Sequence, residues 1–216
     1  MVFELVKRPS VANHFLAELR DVAVQKDPMR FRRNLERLGE ALALELSRTM
    51  PFSEQEVTTP LGIARVQLLA EQPVLSTILR AGLPMHQGML NVFDRADNAF
   101  ISAYRKHRKG TDEFDIEVEY LSSPSLEDRV LVLCDPMLAT GQSMVLVYKA
   151  LLRMGKPREL HVVSAIASAE GLAYARLHLP PGTRFWVGAI DEEMTAQAYI
   201  VPGLGDAGDL AYGEKA

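Results

Sequence analysis

The sequence predicts an α/β fold built on a parallel sheet with helices on both faces. Two observations carry this. Short apolar runs, among them Val74–Leu79, Val130–Asp135, Leu160–Ile166 and Arg184–Ile190, alternate with segments of helical periodicity. Those runs are apolar at successive positions, as strands buried on both faces are, instead of alternating with polar residues. No internal repeat, linker or low-complexity segment interrupts the 216 residues, so one domain is expected.

Taken in order, Ser10 can cap a first helix running to about Gln25. Asp27-Pro28 then supplies the cap and first-turn proline of a second helix, in which Leu35, Leu38, Leu42 and Leu46 recur at three- and four-residue spacing. Residues 1–55 are therefore expected to form a helical N-terminal region. Glu56–Ala70 reads as a hairpin turning at Pro60-Leu61-Gly62, which puts an arm at 56–72. The core and a C-terminal segment fill 73–216. There Val74–Leu79 is a strand, Leu83–Phe93 a helix, Ala99–Tyr104 and Ile116–Leu121 strands, and Val130–Asp135 the central strand. Gly141–Met154 follows as a helix, stopped by Gly155 with Pro157 beyond. Leu160–Ile166 is a strand, Ser168 caps a helix with Glu170 in its first turn, and Arg184–Ile190 closes the core.

Composition narrows the function classes. Hydrophobic residues are 48% and charged ones 24%, as in ordinary globular domains. A net charge of −4 gives no reason to expect nucleic acid. No apolar run approaches the ~20 residues of a membrane span, and no secretory h-region opens the chain. With a single cysteine, Cys134, no intrachain disulfide forms, and a cytoplasmic location is expected. The five histidines are scattered without metal-ligand spacing.

Ligands in such sheets sit at the carboxyl ends of strands, and three segments there carry unusual chemistry. In the first, VLVLCDPMLATGQSM at Val130–Met144, a buried strand ends in Asp135 and a small-residue turn opens a helix. Converging backbone N–H groups and the helix dipole suit a phosphate there. Thr140 and Ser143 add hydroxyl donors, and Asp135 can take ribose hydroxyls or water on Mg²⁺. Neither a G-x-x-x-x-G-K-[ST] nor a G-x-G-x-x-G pattern is present. The second segment, Arg80-Ala81-Gly82, places an arginine directly after an apolar strand. Either an anion or a salt bridge accounts for it. The third, YIVPGLGDAGDLAY at Tyr199–Tyr212, has the glycine density that lets backbone groups meet a flat ligand. Its two aspartates fall short of a Ca²⁺ loop.

Together these segments resemble the uracil phosphoribosyltransferases. ILRAGL at Ile78–Leu83, CDPMLATG-x-S at Cys134–Ser143 and YIVPGLGDAGD at Tyr199–Asp209 stand in that family's order over roughly Glu56–Lys215. The resemblance implies a phosphoribosyltransferase core with a hairpin arm and a C-terminal base-binding hood. It also implies transfer of the 5-phosphoribosyl group from 5-phosphoribosyl-1-diphosphate (PRPP) to uracil. By the same likeness Asp135, Pro136, Met137, Leu138, Ala139, Thr140, Gly141, Gln142 and Ser143 cradle the ribose and 5′-phosphate, and Arg80 and Arg105 hold the diphosphate. Ile200, Gly205, Asp206 and Ala207 read uracil mainly through the backbone, with Asp206 near the ribose or its Mg²⁺. Arg80, Arg105, Asp135 and Asp206 would serve catalysis. Mg²⁺ is expected to arrive with PRPP, bound by no dedicated protein cage. A homodimer or larger homo-oligomer, and GTP as an effector, are further implications.

Several positions depart from the family pattern. Gln142 stands where glycine is usual, so it must be helical or the phosphate affinity suffers. Pro84, His86 and Gln87 replace a glycine, an apolar residue and an aspartate, and Leu210 replaces a basic residue. The run Arg105–Lys109 can capture diphosphate or form a solvated or nucleic-acid-facing loop. Cys134 reads as a core thiol. Two alternatives stand beside uracil transfer: transfer to another nucleobase, and a non-catalytic nucleotide- or RNA-binding regulator on the same fold.

Overall fold

The computed structural model describes residues 1–107 and 114–214, with side chains outside 103–118. In chain order the elements are β1 (Val2–Glu4), α1 (Ala12–Arg20), α2 (Pro28–Ser47), β2 (Phe52–Thr59), β3 (Gly62–Leu69), β4 (Val74–Leu79), α3 (Leu83–Val92), β5 (Asp97–His107) and β6 (Phe114–Ser122). There follow β7 (Val130–Cys134), β8 (Met137–Leu138), α4 (Gln142–Leu151), β9 (Glu159–Ser168), α5 (Ala169–His178), β10 (Arg184–Asp191), β11 (Glu193–Met194), β12 (Ile200–Val201) and α6 (Ala207–Tyr212). The central sheet runs β1-β10-β9-β7-β4-β5-β6, and β8 also pairs with β9.

Period-two alternation divides the strands between two cores. On β7, Val130, Val132 and Cys134 face the layer of α1, α2, α3 and α6, while Leu131 and Leu133 face α4 and α5. Helices therefore cover both faces, as expected from the apolar strands. Asp27 caps α2 by accepting from the N–H groups of Met29 and Arg30 at 2.9 and 3.1 Å. The leucine stripe of α2 is fully buried. Where α2 crosses α3, a Cβ at Gly39 would overlap the Met85 carbonyl and one at Gly88 the Glu36 carbonyl. The two helices thus meet backbone to backbone.

Four expectations need correction. The N-terminal region is not wholly helical: Val2–Glu4 adds a parallel strand beside β10. Phe3 is buried there, its ring centroid 5.3 Å from that of Trp186. The first helix ends at Arg20, not Gln25. Asp21 turns extended and its carboxylate accepts from the Ala23 N–H at 2.8 Å, a local bond that competes with the helix. The hairpin begins at Phe52, earlier than residue 56, because its strands pair in register from Phe52↔Leu69 to Thr59↔Gly62. Finally, the sheet is not wholly parallel: β6 runs antiparallel to β5. Too few residues separate those two strands for a crossover helix, so the chain can only return alongside.

Candidate active site

Asp135 lies just past the carboxyl end of β7, and the loop after it is pinned from below. The Asp135 N–H donates to the Val163 carbonyl at 3.1 Å, and the Ile166 N–H donates to that of Pro136 at 3.0 Å. Ser168 donates through Oγ to the Ala139 carbonyl at 2.6 Å while accepting from the Gly171 N–H at 2.8 Å. A Cβ at Gly171 would overlap that same Ala139 carbonyl, so α5 reaches the loop only through a glycine. Gly141 takes the left-handed turn, φ 76°, and as the N-cap it offers no side chain to α4; the Gln142 N–H donates to the Thr140 hydroxyl at 3.4 Å. The first-turn N–H groups of α4 thus open into a cavity of about 40 Å³ lined by Asp135, Met137–Gly141, Ser143 and Met144. Gln142 is the first residue of α4, so it needs no positive φ. The glycine before it carries that conformation instead.

The second segment lies beside the third. Arg80 follows β4 across a cis peptide. Its guanidinium donates to the Gly213 carbonyl at 3.1 Å and stands 3.6 Å from an oxygen of Asp209. The strand-end arginine therefore has a salt-bridge partner, yet it remains 41% exposed and open to an anion. Gly82 sits against the Thr77 hydroxyl at the start of α3. In the tail, Gly203 and Gly205 adopt φ 58° and 89°. Asp206 caps α6, its Oδ1 accepting from the N–H groups of Gly208 and Asp209 at 2.8 and 3.0 Å. Both bonds use one oxygen, leaving Oδ2 for a ligand. Asp209, facing Arg80, ties the tail to the loop after β4.

Asp135 and Asp206 meet electrostatically. Burial pushes the Asp135 carboxyl up to about 7, the Met137 N–H partly offsets this, and the charge of Asp206 adds to the rise. Two acidic groups within electrostatic reach of one another suit a cation or ribose hydroxyls. Among the described residues no group of three or more His, Cys, Asp or Glu could hold a metal ion alone. Burial also pushes the Cys134 thiol well up, in keeping with an inert core residue. No helix among the described residues is long and apolar enough to cross a membrane.

The side chain of Ile200 is 4% exposed and packs in the core, which leaves its main chain for the backbone reading the resemblance implies. Arg105 and the rest of the basic run lie outside the described side chains. Pro84, His86 and Gln87 line a separate cavity of about 510 Å³ with Arg32 and Tyr212, sharing no residue with the cradle lining. The sequence reading missed the residues that grip the tail from the N-terminal region. Arg20 bonds Asp191 and Gly203, Gln25 bonds Leu204, and Arg32 donates to the Ala211 carbonyl at 2.6 Å.

Comparison with known proteins agrees with the motifs. The family model described as uracil phosphoribosyltransferase matches residues 6–214. A uracil phosphoribosyltransferase of Porphyromonas gingivalis is 52% identical over 99% of both chains. One of Thermococcus gammatolerans is 36% identical over 92% of this chain and 87% of its own. A solved protein of Aquifex aeolicus superposes with a TM-score of 0.86 at 30% identity, covering 99% of this chain and 98% of that one. A hypoxanthine phosphoribosyltransferase of Staphylococcus aureus, at TM-score 0.51, 13% identity and 76% of each chain, shares the fold alone.

Proposed function

Because the chain belongs to the uracil phosphoribosyltransferase family, we propose a division of labour among its residues for that family's reaction. The chain transfers the 5-phosphoribosyl group of PRPP to uracil, giving UMP and diphosphate. The observation that supports the assignment is that the three segments adjoin: a Cβ at Gly82 would lie 3.2 Å from the Cys134 carbonyl, one at Gly208 would lie 3.8 Å from the Ala81 side chain, and Arg80 donates to the Gly213 carbonyl.

Loss of diphosphate from the anomeric carbon builds positive charge on the ribose and negative charge on the leaving group. Such a reaction needs positioning and fixed charges, not a protein nucleophile. The first-turn N–H groups of α4, with Thr140 and Ser143, take the 5′-phosphate. Asp135 and Oδ2 of Asp206 face the ribose and stabilise its developing charge. Arg80 and Arg105 hold the diphosphate. The main chain of Ile200, Gly205 and Ala207 reads the uracil edge, where left-handed glycines let peptide groups approach a flat ring.

The residues present fit Mg²⁺ brought by PRPP. Two carboxylates that repel one another accept a divalent cation, and they are too few to hold it without substrate oxygens and water. When bound, Mg²⁺ neutralises charge on the departing diphosphate.

A homodimer or larger assembly belongs to the same proposal. The β2–β3 hairpin carries Leu61 fully exposed, Ile63 at 68% and Phe52 at 47%, so its apolar side chains lack a core in the monomer. A buried, lone thiol suits a cytoplasmic setting. The test is UMP formation from uracil, PRPP and Mg²⁺, with cytosine, hypoxanthine and guanine in parallel and GTP added to a second series. Turnover with uracil alone is the expected result. Preference for a purine would replace the substrate. A folded protein that binds UMP yet turns over no base would make the chain a regulator.

A further inference from the structure

We propose that Arg20 and Gln25 are positioning residues for the base, holding the Val201–Leu204 turn in the shape that reads uracil without contributing to PRPP binding. The inference rests on the assignment of the tail as the base site. Arg20 is the last residue of α1, and Asp191 ends β10 at the carboxyl edge of the sheet. The guanidinium engages both oxygens of Asp191 at 2.8 Å and also donates to the Gly203 carbonyl at 3.0 Å. The Gly203 N–H donates back to Asp191 at 2.9 Å. Guanidinium, carboxylate and peptide thus form a closed ring, with Asp191 only 7% exposed.

That ring commits both polar groups of Gly203 inward, at a residue whose φ of 58° already bends the chain. Gln25 secures the next residue. Its amide donates to the Leu19 carbonyl at 2.8 Å, which anchors it to α1, and to the Leu204 carbonyl at 3.3 Å. A Cβ at Gly205 would lie 4.0 Å from Gln25 Oε1, so this side chain stands directly behind the glycine that opens the base-reading stretch. No corresponding bond runs from Arg20 or Gln25 to the Asp135–Ser143 cradle. The clamp is therefore selective for one substrate's half of the site.

The experiment compares wild type, Arg20→Lys and Gln25→Ala by varying uracil and PRPP separately. Lysine keeps the charge but not the planar fork, so it cannot make all three bonds. Loosening a site by an ångström costs on the order of 100-fold, and KM for uracil is expected to rise by about 10- to 100-fold in Arg20→Lys. A smaller rise is expected in Gln25→Ala, whose bond to the tail is longer. KM for PRPP, and kcat at saturating uracil, stay at the wild-type value. Unchanged KM for uracil in both variants overturns the proposal. So does a parallel rise in both KM values, which a merely structural tether would produce. Should Arg20→Lys fail to fold, Gln25→Ala, at a half-buried residue, decides the matter by the same split. Failure of the proposed uracil transfer itself is distinguishable, because wild type would then show no saturable dependence on uracil.

Discussion

Replacing Asp135 with asparagine separates what its carboxyl costs the fold from what it does for the reaction. Its affinity for the proton rises from the ordinary 3.8 to about 7 in the folded chain. Below pH 3.8 the group is protonated in both states and has no effect on stability. Between 3.8 and 7 the unfolded chain gives up the proton while the folded chain keeps it, so stability falls as pH rises. At about 1.4 kcal/mol for each pH unit, the loss reaches about 4 kcal/mol above pH 7. Asparagine is neutral throughout and keeps a carbonyl oxygen for the Met137 N–H. The stability advantage of Asp135→Asn over wild type should therefore widen by about 2–3 kcal/mol between pH 5 and pH 8, or about 5–10 °C in Tm for a chain of this size. Thermal melts of the ligand-free proteins across that range measure it, and UMP formation by the variant should collapse in parallel. An advantage that is the same at pH 5 and pH 8 would refute the reasoning, since Asp135 would then be ionised over the whole range.

Three further outcomes are expected. Arg80→Ala should lower kcat/KM for PRPP by about 30- to 1,000-fold, the scale of losing one preorganised donor to the leaving group, and a wild-type value would remove Arg80 from the diphosphate site. Gly171→Ala pushes a methyl group into the Ala139 carbonyl. It should cost about 1–3 kcal/mol of stability in a melt and raise KM for PRPP, while leaving the uracil KM unmoved. Gln142→Gly should keep PRPP affinity and cost under about 1 kcal/mol, because Gly141 already supplies the left-handed turn. A sharp loss of affinity in direct binding would show that the Gln142 side chain touches the substrate.

What the sequence made legible was local. Val130–Cys134 is apolar without interruption and is followed by a carboxylate, so its strand could be located to within one residue. Asp27-Pro28 announced α2 for the same reason, a cap whose chemistry is confined to four neighbouring positions. What escaped was set by partners far along the chain. Three residues, Val2–Glu4, carry too little pattern to declare a strand, and only the open edge of β10 makes them one. Arg20 and Asp191 each look like ordinary surface charges until the fold sets them 2.8 Å apart across 171 positions.

The grip of α1 on the tail also orders events during synthesis. Arg20 is translated early and must wait for Asp191 and Gly203, while Arg80 waits for the Gly213 carbonyl, 133 positions further on. Contacts of such sequence separation close late, after the local helices and the inner strands have formed. The cradle is pinned by residues up to Gly171, whereas the base-reading segment is held by contacts that need residues as late as Gly213. Phosphate grip and choice of base therefore rest on different stretches of the chain, the second made after the first.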